Sequence, residues 1–251
     1  MSANVIVKTD YPFCLDEPDF TLQGEAIVSA DSSELKLKLK TLKMNCSAGE
    51  DDHTDKNLIS ESLSLFEKEK VNCLDLGCAG GQLILDYSQR PETDVCIGLD
   101  GSCGVYRHYN WSVEENRKIL HHANLVEKFL IYNKDSTPLK FDIITCWEVI
   151  EHFNEDHLKA FFQNVTNHLA NGGIFFGSIA LFPDIRDING YHQKCPEYNP
   201  HSEQFVLHKT VFDSRAPWDK ILSKYFKVEE YDFDVRLRNH NNSYYFKARS
   251  K

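Results

Sequence analysis

The feature that most constrains the fold is a glycine-rich turn between a short apolar strand and a helix. The apolar segment 72–76 continues directly as Gly77-Cys78-Ala79-Gly80-Gly81, and residues 83–87 then have the pattern of a helix. Small residues at such a turn let a ligand lie against bare backbone at the start of a helix, where N–H groups point outward. The turn therefore predicts a strand–turn–helix unit with a ligand site at the carboxyl end of its strand.

Predicted strands and helices alternate along the rest of the chain. Further strands are predicted at 95–99, 128–132, 141–145, 173–180, 228–235 and 243–248. A helix is predicted at 155–169, with Asn154 as its N-cap and Gly172 as its stop, whereas His121 and His122 are expected on a polar helix face. This order predicts an α/β fold. Its doubly wound, seven-stranded sheet is mostly parallel, ends in an antiparallel C-terminal hairpin and forms a three-layer sandwich with its helices.

The domain organisation is predicted from changes in composition. Residues 1–55 form an N-terminal appendage in which 34–42 alternates Leu and Lys, the pattern of a half-buried strand. A polar, acidic loop then precedes the main domain at 56–251. Within that domain, a stretch at about 183–208 is rich in Pro, Tyr and His, and its length is typical of a functional loop that covers a substrate.

Charge and cysteine usage limit the partners and the compartment. The formal net charge of −10 argues against broad nucleic-acid binding, which needs a basic face. No stretch approaches the roughly 20 apolar residues that span a bilayer, and the first ten residues lack a secretory leader, so we expect a cytoplasmic protein without membrane partners. Eight cysteines without a C-x-x-C pair are expected to be free thiols.

The glycine-rich turn resembles the D-x-G-C-x-x-G first motif of class I S-adenosylmethionine-dependent methyltransferases, which have a Rossmann-like fold. The match begins at Asp75, and Ala79 stands where the family usually has Gly; the same Ala breaks the nicotinamide fingerprint G-x-G-x-x-G. The resemblance covers roughly residues 57–182. It implies S-adenosylmethionine as the methyl donor, S-adenosylhomocysteine as the product, and these cofactor-binding residues: Asp75, Gly77, Cys78, Ala79 and Gly81.

Two further aspartates are expected beside the cofactor. Asp100 ends the second strand, where an acid accepts hydrogen bonds from ribose hydroxyls. The family uses an acid there in the same way, with Gly101 and Ser102 close to the adenosine. Asp135 follows the predicted third strand, where the resemblance places a polar side chain near the adenine; the alternative is an ordinary turn residue. We thus expect three aspartates at three successive strand ends.

Aromatic residues after Asp100 have two possible places. Tyr106, Tyr109 and Trp111 are expected either to cover the adenosine or to pack between helices.

The segment Trp147-Glu148-Val149-Ile150-Glu151-His152 resembles one found in small-molecule methyltransferases, including ubiquinone-pathway and sugar-type O-methyltransferases. The resemblance implies that Trp147 and Glu148 lie beside the methionine half of the cofactor. His152 is the expected base for a hydroxyl acceptor, with Glu151 or Glu148 to orient it, and His208 is expected to face the acceptor as a second catalytic residue. Alternatively, the segment is a polar helix start that contacts only cofactor or solvent.

The expected reaction is O-methylation of a small polar acceptor such as a sugar or glycosylated metabolite. One alternative is a metal-assisted RNA ribose 2'-O-methyltransferase, in which Glu148, Glu151 and His152 hold a divalent ion; metal is possible but not favoured. The other alternative is a non-catalytic scaffold that binds the cofactor. The sequence leaves the acceptor and the oligomeric state open.

Overall fold

The computed structural model describes residues 6–9, 25–27, 56–101, 105, 108–133, 135–181, 184–187, 205–208, 212, 214–233 and 243–251. The strands are β1 Ile6–Thr9, β2 Glu25–Ile27, β3 Val71–Leu76, β4 Thr93–Asp100, β5 Leu120–His122, β6 Phe129–Tyr132, β7 Phe141–Trp147, β8 Leu169–Ala180, β9 Asp184–Asp187, β10 Phe205–His208, β11 Phe226–Glu229 and β12 Ser243–Ser250. The helices are α1 Lys56–Ser64, α2 Gln82–Ser88, α3 Tyr109–Ser112, α4 Glu155–His168 and α5 Arg215–Tyr225, with short 3-10 turns at Glu114–Lys118 and Ile150–His152.

Seven strands form the central sheet in the order β11-β12-β8-β7-β3-β4-β5. The five strands from β8 to β5 are parallel, whereas β12 runs antiparallel to both β8 and β11. The predicted mostly parallel sheet with an antiparallel C-terminal hairpin is confirmed. The first strand of the sheet along the chain, β3, is the middle one of the five parallel strands. The later strands are therefore added on both sides of it, which opens a crevice at its carboxyl end.

Helices cover both faces of this sheet because alternate side chains of each strand point to opposite sides. On one face, Leu74 and Phe175 pack with apolar residues of α4 and α5. On the other, Cys73 and Phe176 pack with apolar residues of α1 and α2. Strands buried on both faces are apolar along their whole length, which is why β3, β4 and β7 were predictable as short apolar runs.

Helix α4 begins where the sequence predicts. The side chain of Asn154 accepts a hydrogen bond from the N–H of His157 (2.7 Å), and acids in the first turn stabilise the positive end of the helix. The helix ends at His168, one residue before the predicted end, because Leu169 adopts an extended conformation and begins β8. Gly172 therefore lies within β8, with φ of +75°, and not at the helix end.

The third strand of the sheet also differs from the prediction. Residues 129–132 form β6, which pairs antiparallel with β1 outside the central sheet. The third strand is β5, which contains His121 and His122, and the expectation that these residues lie on a helix is wrong. Strand β5 has one buried residue, Leu120, followed by two half-buried histidines, so it lacks the apolar run that identifies the central strands.

The described parts of the N-terminal segment pair with later parts of the chain: β1 with β6, and β2 with β10. Strand β10 also pairs with β9, so the insertion at 183–208 contributes two strands to a small peripheral sheet. The predicted strand at 34–42 lies outside the described residues, and the domain boundary at 55 stays a prediction.

Two other expectations concern thiols and membrane segments. Cys73, Cys78, Cys96 and Cys146 are free and buried, as predicted. Within the parts of the chain that the structure describes, no helix combines the length and the apolar character needed to cross a membrane.

Candidate functional site

The glycine-rich loop, residues 77–81, is fastened to the carboxyl end of β4. The N–H groups of Gly77 and Cys78 both donate to the carbonyl of Leu99, at 2.8 and 3.1 Å. Gly77 has φ of +79°, and a Cβ built there would lie 3.2 Å from Cγ1 of Val149 and closer still to its Cγ2. Only glycine combines this conformation with this close approach. The loop is therefore bare backbone leading into α2.

Ala79 is held in a left-handed conformation, with φ of +44°, at the position where the resemblance expects Gly. Its N–H donates to Oδ2 of Asp100 (2.8 Å), and its carbonyl accepts from Nε1 of Trp111 (2.8 Å). The next carbonyl, that of Gly80, accepts from Nδ2 of Asn110 (2.9 Å). Side chains of α3 thus donate hydrogen bonds to the carbonyls of Ala79 and Gly80, while the carboxylate of Asp100 accepts one from the N–H of Ala79.

The structure describes two of the three aromatic residues that follow Asp100, Tyr109 and Trp111. Trp111 is buried and packs against the loop, whereas Tyr109 is 80% exposed. Tyr106 lies outside the described residues. Asn110 was not among the predicted site residues, because no local pattern marks it.

Two of the three predicted aspartates lie at adjacent strands of the central sheet. Asp75 is only 3% exposed, and its carboxylate accepts a hydrogen bond from Oγ1 of Thr145 (2.7 Å) on β7. Asp100 is the last residue of β4 and is nearly as buried. Asp75 is therefore buried within β3, two residues before the loop, while Asp100 contacts the loop from the carboxyl end of β4.

The expectation of a third aspartate on the same rim is wrong. Asp135 is exposed in a turn after β6, where the side chain of Asn133 accepts a hydrogen bond from the N–H of Asp135 (3.0 Å). Because β6 pairs with β1, this turn does not follow a strand of the central sheet. The alternative of an ordinary turn residue describes Asp135 correctly.

The residues at the carboxyl end of β5 were not among the predicted site residues. His122, the last residue of β5, hydrogen-bonds through Nε2 to the carbonyl of Gly101 (3.0 Å), and burial lowers its pKa. Asn124 is buried two residues later. Their signal, a three-residue strand with two histidines, is too short to separate from a helix. Gly101 keeps its predicted place after β4, and Ser102 lies outside the described residues.

Glu148 follows β7 in a left-handed conformation, with φ of +52°. Its N–H donates to the carbonyl of Ser178 (2.9 Å), and its Oε1 accepts from Oγ of Ser243 (2.8 Å). The carboxylate therefore turns toward β12, away from the glycine-rich loop. The neighbouring Trp147 packs edge-on against Phe176, and its Nε1 is buried with no hydrogen-bond partner in the described part of the chain.

Glu151 is fully buried, with 0% exposure. Its Oε1 accepts from the N–H of Ala180 (3.1 Å), whereas Oε2 has no partner among the described residues. Burial, and secondarily the charge of Glu148, raise the pKa of Glu151 well above its usual value, because both disfavour the charged carboxylate. Burial therefore works against the predicted role of Glu151 as an anion that orients His152.

For the two candidate bases, His152 and His208, the structure describes only the backbone. His152 ends the 3-10 turn directly after Glu151, and His208 ends β10, where it pairs with Asp184 of β9. Their side chains lie outside the described residues, so their roles stay predictions. As for the metal alternative, no group of three or more His, Cys, Asp or Glu side chains within the described ranges could hold an ion.

A family model for a methyltransferase domain matches residues 52–212. The chain is 34% identical over 104 residues to the ubiquinone biosynthesis O-methyltransferase of Glaesserella parasuis serovar 5 (strain SH0165). That match covers 41% of this chain and 42% of the relative, so the chain spans less than half the length of the relative it matches.

Two solved structures show the same fold. A S-adenosylmethionine-dependent methyltransferase from Clostridium acetobutylicum ATCC 824 has a TM-score of 0.53 at 15% identity, covering 77% of this chain and 89% of its own. The PH0226 protein from Pyrococcus horikoshii OT3 has a TM-score of 0.52 at 17% identity, covering 80% and 94%.

Proposed function

Because this chain belongs to the methyltransferase domain family, we propose that it transfers a methyl group from S-adenosylmethionine to a hydroxyl of a small polar acceptor, such as a sugar or glycosylated metabolite. The family match and the fold confirm the predicted class, a class I S-adenosylmethionine-dependent methyltransferase. The choice of a hydroxyl and of a sugar-like acceptor is the proposed part. A part of the chain that makes up 41% of its length is similar to a ubiquinone biosynthesis O-methyltransferase, and this similarity supports O-methylation.

The observation that carries the proposal is the bare loop at residues 77–81, held by Asp100 where the strand order reverses. Ligands of open α/β sheets bind at this point, outside the carboxyl ends of the strands. The loop offers backbone beside an adenosyl group, because Gly77, Ala79 and Gly81 have no side chain beyond Cβ. We expect Asp100, at the end of β4 and next to Gly101, to accept hydrogen bonds from the ribose. These residues fit the donor by shape and by hydrogen-bonding chemistry.

The donor, when bound, supplies a methyl group already activated by positive sulfur. The protein then has to align the acceptor with that methyl group and exclude water. If the acceptor is a hydroxyl, a base must take its proton, and His152 is our candidate because imidazole titrates near neutral pH. The preceding residue, Glu151, is not a second base in this scheme, because its burial disfavours the charged form.

Turnover tests the proposal. The full chain is incubated with S-adenosylmethionine and a panel of neutral glycosides, nucleotide sugars and a short RNA, and release of S-adenosylhomocysteine is measured. We expect an O-methyl ether from a sugar-like acceptor, no effect of EDTA, and loss of turnover in His152→Ala with retained binding of S-adenosylhomocysteine. Methylation of nitrogen or carbon, EDTA-sensitive methylation of the RNA ribose, or full turnover by His152→Ala would overturn it.

A further inference from the structure

We propose that β12 forms the wall of the site that recognises the acceptor: Glu148 accepts a hydrogen bond from the acceptor, and Ser243 is the positioning residue that holds Glu148. This inference rests on the proposed function and adds the chemical class of the acceptor. Its reacting end is the hydroxyl of the proposed function, a hydrogen-bond donor without negative charge.

Glu148 follows β7, and its carboxylate turns to the half of the sheet that contains β8 and β12. Ser243 begins β12 and pairs with Ala180 at the carboxyl end of β8. The hydrogen bond from Ser243 to Glu148 (2.8 Å) therefore reaches across β8, from the end of β7 to the start of β12. The glycine-rich loop and Asp100 lie on the opposite side of β7. A donor bound on that side leaves the half near β12 for the acceptor.

The direction of the Glu148 side chain is fixed by its backbone. A left-handed conformation is sterically disfavoured for a residue with a side chain, and it persists where neighbouring contacts impose it. Here the N–H of Glu148 is held by the carbonyl of Ser178 (2.9 Å). With the backbone and one carboxylate oxygen both held, Glu148 presents its charge in one direction.

The hydrogen bond from Ser243 leaves Glu148 as the carboxylate that faces this side of the sheet. Its neighbour Glu151 is fully buried, its Oε2 has no partner in the described part of the chain, and burial raises its pKa well above the usual value. Tyr245, two residues after Ser243 on the same face of β12, has its pKa raised by burial and by Glu148, so its phenol stays protonated. A phosphate or carboxylate on the methyl acceptor would meet like charge here, whereas a hydroxyl would find a group that accepts its hydrogen bond.

Sinefungin tests this arrangement without the natural acceptor. It resembles S-adenosylmethionine but carries an ammonium group where the donor carries its methyl group, so that charge faces the acceptor side. Calorimetric titration with sinefungin and with S-adenosylhomocysteine is made on the wild-type chain and on Glu148→Gln, Ser243→Ala and Ser243→Thr. Glu229→Gln, a carboxylate of β11 paired with Arg249, is the matched control.

We expect the wild-type chain to prefer sinefungin by about tenfold or more, because a hydrogen bond between charged groups is stronger than a neutral one. Glu148→Gln should remove the preference while leaving the affinity for S-adenosylhomocysteine within about twofold. Ser243→Ala should reduce the preference, Ser243→Thr should retain it, and Glu229→Gln should leave it unchanged.

Two results would overturn the inference, and they differ from each other. If both ligands bind and Glu148→Gln keeps the full preference for sinefungin, the acceptor assignment of Glu148 is wrong while the proposed function stands. If neither ligand binds the folded wild-type chain, the proposed function fails and this inference fails with it. Because each ratio is measured on one sample, partial loss of folded protein does not change it.

Discussion

Gly77→Ala is the perturbation whose effect follows most directly from the glycine-rich loop. The substitution places a side chain at φ of +79°, which costs about 1–2 kcal/mol for an L-residue. It also forces the new Cβ to within 3.2 Å of Cγ1 of Val149 and closer to Cγ2. Val149 is β-branched and has little rotamer freedom, so the crowding adds about 1–3 kcal/mol. We expect Gly77→Ala to lower the unfolding free energy by about 2–5 kcal/mol.

Gly172→Ala is the matched control, because Gly172 has a similar φ of +75° but nothing within 4 Å of its Cβ position. It should cost only the strain, about 1–2 kcal/mol. The smaller entropy of the unfolded chain that alanine brings is common to both variants and cancels in the comparison. The difference between the two variants therefore measures the crowding alone.

Urea denaturation of the two variants and of the wild-type chain gives the two free energies. Adding Val149→Ala to Gly77→Ala should recover part of the loss, because it removes the methyl groups that the new Cβ meets. Equal destabilisation by Gly77→Ala and Gly172→Ala, with no recovery on Val149→Ala, would refute the reasoning about the close approach of the loop to Val149.

Three further predictions concern the surroundings of the loop. Because the pKa of Glu151 is raised in the folded state, the folded chain keeps a proton that the unfolded chain releases above its usual pKa of 4.5. The unfolding free energy should therefore fall as the pH rises above that value. Glu151→Gln should flatten this part of the profile in urea titrations from pH 5 to 8. Trp111→Phe removes the donor to the Ala79 carbonyl, which is worth about 1 kcal/mol, and calorimetry should show about fivefold weaker binding of S-adenosylhomocysteine; unchanged affinity would show that α3 does not position the loop. Thr145→Val takes a hydrogen bond from the buried Asp75 carboxylate and should lower the unfolding free energy by about 1.5–3 kcal/mol; an effect below about 0.5 kcal/mol would contradict this.

The central strands of the fold were predictable because burial on both faces requires a run of apolar residues, which is visible in the local sequence. Strands β3, β4, β7 and β8 are apolar runs bounded by turns, and the glycine-rich turn fixes which strand begins the doubly wound sheet. The third strand was not predictable. Segment 129–132 has the stronger strand pattern but pairs with β1, and the choice of partner depends on long-range contacts that no local pattern contains.

The candidate site divides in the same way. The loop and Asp100 follow from their places directly after strands, and the structure brings them together through the Ala79–Asp100 hydrogen bond. The contact of Asn110 with the loop depends on where α3 lies, and the direction of Glu148 depends on Ser243, which is 95 positions later in the chain. The raised pKa of Glu151 comes first from its burial, which the sequence of a short polar turn does not show.

The central claim is that the loop at residues 77–81 and Asp100 together hold an adenosyl donor. Thermal and urea unfolding of the full chain with S-adenosylhomocysteine at a hundredfold excess over its dissociation constant measures this directly. The wild-type chain should gain about 2.7 kcal/mol. Asp100→Ala should lose that gain, whereas Asp94→Ala, an exposed residue of the same strand, should keep it. A wild-type chain that gains nothing, or an Asp100→Ala chain that gains as much as wild type, would contradict the account.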